Sequence, residues 1–163
     1  MGSIIGLNEC LFVTMNVGRA ITSTGRGSHE WLMSLQSSVR IPIKSYDQEM
    51  LDLPMIDHIV QELVQLMGSE NRNRLLIAGA DVESHITFLT LRALAEGFDV
   101  YLLSDLMASR DRKFLNIFQM RLFQAGAVPT TMGQFLLEWQ TAESDTALTN
   151  RLQLLRDSFL QPS

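Results

Sequence analysis

Short apolar runs alternate with segments of helical periodicity from Arg74 to the end of the chain. The runs at 74–79, 98–104 and 127–131 are short enough to be strands and show little of the polar alternation of a strand with one face in water. Strands of this kind are typical of a parallel sheet that is covered on both faces. The pattern therefore predicts right-handed crossovers and a three-layer α/β sandwich with a mainly parallel sheet. Helices are expected at 111–125, 132–140 and 145–160.

The first part of the chain follows this pattern less regularly. Residues 10–15 form a continuous apolar run of strand length, in which Cys10 is expected to pack as a small hydrophobe. Residues 16–38 are rich in Gly, Ser and Thr and predict a long loop with one short helix. Pro42 limits the next apolar segment, 39–46, to a short or edge strand, because proline cannot donate to a sheet ladder.

An amphipathic helix is expected to begin near Pro54, with Asp52 as its N-cap, and to end at Gly68. His58 falls outside the apolar stripe of this helix and is expected to lie in solvent.

Length and composition predict a single domain over residues 1–163, because 46% hydrophobic residues are enough for one core. The formal net charge of −5 argues against a nucleic-acid partner or an anionic membrane surface, since both need clustered Lys and Arg. No apolar run approaches the roughly 18 residues of a membrane span. The one cysteine predicts a reducing compartment, so a soluble intracellular protein of the cytoplasm or mitochondrial matrix is expected.

The turn after the strand at 74–79 carries the candidate functional side chains Asp81, Glu83 and His85. Open α/β sheets place ligands and catalytic groups at such strand ends. His85 either makes a local hydrogen bond at a helix N-terminus or takes part in ligand binding or acid–base chemistry. Asp81 and Glu83 favour the helix N-terminus through its dipole or contact a ligand. The turn lacks the glycines of nucleotide-binding loops, and three ligands so close in sequence rarely converge on a metal, so neither cofactor nor metal is expected.

Several segments together resemble the C-terminal half of the isochorismatase-like cysteine hydrolases. Their order, spacing and end residues agree with the family, and they are Leu75–His85, Leu94–Gly97, Val100–Asp105, Ala108–Arg110 and Met120–Thr131. The resemblance is strongest over 41–140, where Lys44-Ser45-Tyr46 is similar to the segment that supplies the family's lysine. It implies the isochorismatase-like hydrolase fold.

The resemblance implies a catalytic site built from an Asp, a Lys and a Cys on adjacent strand ends, in which the thiolate attacks a carbonyl or nitrile-type carbon. Lys44 matches the lysine, and counting without gaps places His85 at the cysteine position. A locally shifted match would place Thr87 there instead, and neither choice supplies a thiol. Lys44 and His85 are therefore the candidate catalytic residues, and Asp81, Glu83 and Thr87 the candidate ligand-binding residues.

The family's acid comes from the end of its first strand, and two interpretations of residues 11–15 remain open. Either they are that strand, with Met15 replacing the acid, or they correspond to the family's second strand. The spacing to Lys44 favours the second interpretation, in which the fold is incomplete at the N-terminus. Loss of a central strand would expose unpaired edges, which rearranged N-terminal residues or a partner subunit would have to cover.

The leading hypothesis is a family member without thiol-dependent hydrolase activity that keeps a small-molecule ligand or a role in assembly, as a homo-oligomer. The alternative is an active hydrolase of small amides or esters that uses Lys44 and His85 with water as the nucleophile, since His is a competent base near neutral pH. A third hypothesis is an interaction protein whose apolar C-terminal helix, with Leu152 and Leu155 on one side, joins subunits.

Overall fold

The computed structural model describes residues 10–16, 42–46, 52–70 and 72–160. Most of the predicted loop at 16–38 and the first residues of the predicted strand at 39–46 lie outside these described residues.

The described elements alternate between strand and helix along the chain, as the sequence pattern predicts. In chain order they are β1 (Cys10–Met15), β2 (Ile43–Tyr46), α1 (Leu53–Glu70), β3 (Arg74–Gly79), a π-helical turn (Val82–Ile86), α2 (Thr87–Ala95), β4 (Asp99–Met107), a 3-10 turn (Arg112–Phe114), α3 (Leu115–Gln124), β5 (Val128–Thr130), α4 (Met132–Ala142) and α5 (Thr146–Leu160).

The five described strands form one sheet in the order β2-β1-β3-β4-β5, and every pair is parallel. Alternate residues of β1, β3 and β4 enter opposite cores. Leu11 and Val13 pack with α1, α2 and α3 on one face, whereas Phe12 packs with Trp139 of α4 and with α5 on the other. The predicted three-layer α/β sandwich is therefore confirmed.

Local predictions in the first half of the chain are mostly confirmed. Asp52 caps α1 by accepting a hydrogen bond from the backbone N of Met55 at 2.9 Å. Cys10 is 1% exposed and lies in the core. The predicted end of α1 at Gly68 is wrong, because the helix continues to Glu70. This glycine has an ordinary helical backbone, and a Cβ added to it would meet nothing within 4 Å.

β1 has a paired strand on each side, β2 on one and β3 on the other. Parallel pairing with β3 runs over six positions, from Cys10 opposite Arg74 to Met15 opposite Gly79. The unpaired edges expected from a missing central strand are therefore absent between these two described strands.

Gly79 brings the ends of β1 and β3 into close contact. Its φ of +130° is a conformation that L side chains rarely adopt, and a Cβ at this position would lie 1.8 Å from the carbonyl oxygen of Met15. The same oxygen accepts a hydrogen bond from the backbone N of Ala80 at 2.8 Å. Only glycine allows the chain to leave β3 in this way.

We expect Gly79→Ala to lower the free energy of unfolding by about 3 kcal/mol or more, because the new methyl group clashes with backbone that cannot move without breaking the β1–β3 ladder. Urea denaturation followed by circular dichroism measures the change.

Gly68→Ala is the matched control, because its methyl group has free space in a helix. It should leave stability unchanged or raise it by up to about 1 kcal/mol. Equal effects of the two substitutions would contradict the role assigned to Gly79.

Candidate functional site at the carboxyl edge of the sheet

Three strands end together at one edge of the sheet. Met15 of β1 lies opposite both Tyr46 of β2 and Gly79 of β3. Asn16 and the turn that carries His85 come directly after two of these strand ends. Ligands of open α/β sheets bind at this edge, so the location predicted for the site is a suitable one.

Backbone hydrogen bonds and buried side chains hold the turn after β3. The backbone N atoms of Ser84 and Ile86 both donate to the carbonyl oxygen of Asp81 at 3.2 Å. Val82 and Ile86 are completely buried in the core. The hydroxyl of Thr87 donates to the carbonyl oxygen of Val82, so this predicted ligand-binding side chain also closes the turn. The peptide bond between Ala80 and Asp81 is cis.

Both acidic residues of the turn contact Arg110, which follows β4. The Asp81 side chain is only 3% exposed and pairs with the Arg110 guanidinium, with Nε and Oδ2 separated by 3.1 Å. The backbone N of Arg110 donates to Oε1 of Glu83 at 2.9 Å. These contacts connect the turn to the neighbouring strand connection and partly balance its negative charge.

The side chain of Asp105 in β4 contacts the start of α4. The Asp105 carboxylate accepts from the backbone N of Met132 at 3.1 and 3.3 Å, at the start of α4. Since β4 continues to Met107, Asp105 lies within the strand and not in the turn that follows it.

Three buried polar atoms near this edge have no hydrogen-bond partner within the described parts of the chain: Nδ1 of His85, Oε2 of Glu83 and Nδ2 of Asn16. His85 is 8% exposed. An unpaired buried polar group costs about 1–3 kcal/mol, so such groups are rare outside functional sites. Asn16 was not identified from the sequence, although a polar side chain directly after a buried strand is a usable signal.

Lys44 lies apart from the other candidates. It is exposed on β2, opposite Val13, and therefore two positions before the strand end. Since β1 lies between β2 and β3, the backbones of these two strands are about 10 Å apart. The structure thus gathers Asp81, Glu83 and His85 in one turn, with Thr87 directly after it, and leaves Lys44 on a different strand.

The neighbours of β1 in the sheet indicate whether Met15 stands at the position of the family's acid. Because β1 lies directly between the strand of Lys44 and the strand that leads to His85, it has the neighbours expected if Met15 replaces the family's acid. Met15 is completely buried. The end of β1 therefore supplies no carboxylate to the candidate site.

The single cysteine lies at the wrong end of β1 to serve this site. Cys10 begins the strand, and five residues along a strand correspond to about 17 Å. Its side chain packs in the core with Phe12 and Trp139. No thiol of these 163 residues can therefore reach His85 in this fold.

The described residues were also compared with what a metal site and a membrane span require. In this part of the chain no three His, Cys, Asp or Glu side chains come together in a way that could hold a metal ion. Among the described helices, none combines the length and apolar character needed to cross a membrane.

Comparison with known proteins gives matches among solved structures. No family model matches the sequence, and no curated protein matches it either. YcaC from Pseudomonas aeruginosa superposes with a TM-score of 0.72 at 15% identity, covering 98% of this chain and 93% of that chain. YcaC from Escherichia coli, described as an octameric hydrolase of unknown specificity, gives 0.72 at 18% identity over 96% and 90%. The MAR1 ribonuclease from Caenorhabditis elegans gives 0.70 at 16% identity over 98% and 97%.

These structures share the isochorismatase-like hydrolase fold, which this chain therefore has. Identities below 20% show the fold alone, so activity and substrate have to be argued from the site.

We expect Arg110→Gln to lower the free energy of unfolding by about 1 kcal/mol or more, because it removes a charged partner from the buried Asp81 carboxylate. Chemical denaturation at neutral pH measures the loss.

Arg92→Gln provides the comparison, because Arg92 pairs with Asp57 at 3.4 Å and both of these side chains are about half exposed. Its expected loss is below about 0.5 kcal/mol, as for other exposed pairs. A loss at Arg92 as large as that at Arg110 would show that burial of Asp81 does not strengthen its contact.

Proposed function

We propose that this chain, which has the isochorismatase-like hydrolase fold, binds a small polar molecule beside His85 and does not carry out thiol-dependent hydrolysis. The observation that carries the proposal is the side chain at position 85. It is a buried imidazole with an unpaired Nδ1, at the place where the resemblance to the family expects a nucleophilic cysteine.

The chemistry of the mechanism supports this proposal. Thiol-dependent hydrolysis needs a thiolate that forms a covalent intermediate and a group that returns the proton. This chain has no thiol within reach of the turn, and Met15 stands at the end of β1, which is the position of the acid if β1 corresponds to the family's first strand. Two of the three groups of the implied mechanism are therefore missing.

The unpaired atoms indicate which ligand fits. Nδ2 of Asn16 is a donor, Oε2 of Glu83 is an acceptor, and Nδ1 of His85 can be either, depending on its tautomer. A primary amide offers both an acceptor oxygen and donor N–H groups. A small neutral amide therefore satisfies this set better than a carboxylate, which cannot donate, or an ammonium, which cannot accept.

Self-association is the second part of the proposal. The relative from Escherichia coli is described as octameric. Leu152 and Leu155 of α5 are buried within this chain against α4, so these two side chains are not available to a second copy, whereas Leu154 of the same helix is exposed. Ile117 and Met120 of α3 and Phe114 just before it are further exposed apolar side chains that a second copy of the chain would cover.

The alternative, a hydrolase that uses Lys44 and His85 with water, receives less support from the geometry. A base and its partner must act on the same substrate atoms within hydrogen-bond reach. Lys44 is exposed on β2, whereas His85 is buried in the turn after β3, with β1 between the two strands. Hydrolysis of an amide or ester panel that is abolished by either His85→Ala or Lys44→Ala would favour this alternative.

Acrylamide labelling tests for a nucleophile at the site. The solved structure of the Pseudomonas aeruginosa relative contains covalent acrylamide. A thiolate adds through sulfur to the terminal alkene carbon, and the neighbouring carbon takes up a proton, so the peptide gains the mass of one acrylamide. We expect peptide mass spectrometry to find no label on the turn of the native wild-type protein and a label on His85→Cys.

Cys10 serves as the internal control, because its buried thiol should label only after unfolding in urea. Labelling of wild-type His85, or an acyl intermediate on any residue during amide hydrolysis, would contradict the proposal.

Binding is tested separately with propionamide, which has the shape of acrylamide but no reactive alkene. In saturation-transfer NMR we expect His85→Ala to weaken binding about fivefold, the effect of one lost hydrogen bond. His58→Ala is the matched control, since His58 lies exposed on α1 and should not affect a ligand at the turn. Unchanged binding in His85→Ala would exclude the turn as the site.

A further inference from the structure

A concave surface lies beside the end of β2, outside the turn that carries His85. It is an open groove of about 370 Å³ between Tyr46 and the first part of α1. This volume lies in the lower range of small-molecule pockets. None of the described residues that line it belongs to the turn that carries His85.

One end of the groove is polar and built around Glu62. Oε2 of Glu62 accepts the hydroxyl of Tyr46 at 3.1 Å, and Oε1 lies 3.3 Å from Nε2 of His58. Burial of Tyr46, together with the hydrogen bond to Glu62 and its negative charge, raises the pKa of the phenol well above its ordinary value. The Tyr46 hydroxyl therefore remains a neutral donor that fixes the position of the carboxylate.

The other wall of the groove is apolar. It is formed by Pro54, Met55 and Ile59 of α1. Asp52 stands at the start of this wall, where its carboxylate caps the helix. A ligand in the groove would meet a carboxylate at one end and apolar side chains along its body.

The charges around the groove favour a cation. Asp52 and Glu62 both line it, and the described residues of its lining include neither Lys nor Arg. Arg92 pairs with Asp57 of this helix as part of the packing of α1 against α2, and neither residue is among those that line the groove. His58 is charged only when protonated, and its side chain is 77% exposed, so it can turn away from Glu62.

We propose that this groove binds a small organic monocation, an amine with an apolar body, whose ammonium group contacts Glu62. The ammonium takes the place of His58 on Oε1, the apolar body packs on Met55 and Ile59, and the Tyr46 hydroxyl keeps Oε2 in place. A bare metal ion fits less well, because half of the groove offers it no oxygen ligand. The inference does not depend on the ligand or chemistry proposed at His85.

Benzylammonium is the probe, and neutral benzyl alcohol, which has nearly the same shape, is its comparison. Isothermal titration calorimetry on the full chain measures both, and ¹³C-methyl NMR of Ile59 and Met55 locates the bound probe. We expect benzylammonium to bind at least tenfold more tightly than the alcohol and to shift both methyl signals. Glu62→Gln should lower its affinity at least tenfold, and Tyr46→Phe should lower it by a smaller factor.

Glu96→Gln is the matched control, because it removes the same charge from an exposed position at the end of α2. It should leave binding unchanged. Equal affinities for amine and alcohol, unchanged binding in Glu62→Gln, methyl shifts elsewhere than at Ile59 and Met55, or no binding at about 10 mM probe would each overturn the inference. Thermal unfolding of each variant separates loss of the site from loss of the fold, and the conservative Tyr46→Phe variant retains the packed ring.

Discussion

The parallel ladder between β1 and β3 is the contact on which the rest of the structure depends. Its six paired positions end where Gly79 allows the Met15 carbonyl oxygen to approach within 1.8 Å of an ideal Cβ position. Because β1 and β3 are buried on both faces, this ladder also joins the two cores on either side of the sheet. The ladder fixes where β3 ends, so it also fixes the position of the turn after Gly79 and of His85 in that turn.

The alternation of apolar runs and helices was sufficient to predict the layers of the fold, since the central strands β1 and β3 are buried on both faces and appear in the sequence as continuous apolar runs. Other features depend on contacts that a local pattern does not contain. Ser104 and Asp105 suggested the end of a strand, yet β4 continues to Met107, because the register with β3 shifts after Ile77. A register shift of this kind cannot be recognised from hydrophobic periodicity.

Only part of the candidate site could be predicted from the sequence, because only part of it is built from one local segment. The position of His85 follows from a strand and a turn, both of which are local. The roles of Asn16 and Arg110 could not be inferred in this way, because their neighbours come from other strands. Asn16 is 69 residues from His85 in the chain, and only the pairing of Met15 with Gly79 places it at the same edge.

Burial decides which ligand each of the two proposed sites can accept. At the turn, the unpaired atoms of His85 and Glu83 are out of contact with solvent, so a charged ligand would lose its hydration there, and a neutral molecule that both donates and accepts is favoured. Glu62 is about half exposed and remains hydrated. An ammonium group can therefore reach this carboxylate at little desolvation cost. The apolar body of the same ligand is removed from water when it packs against α1. The two proposed sites, near one edge of the same sheet, would thus select ligands of different charge, although both depend on a glutamate.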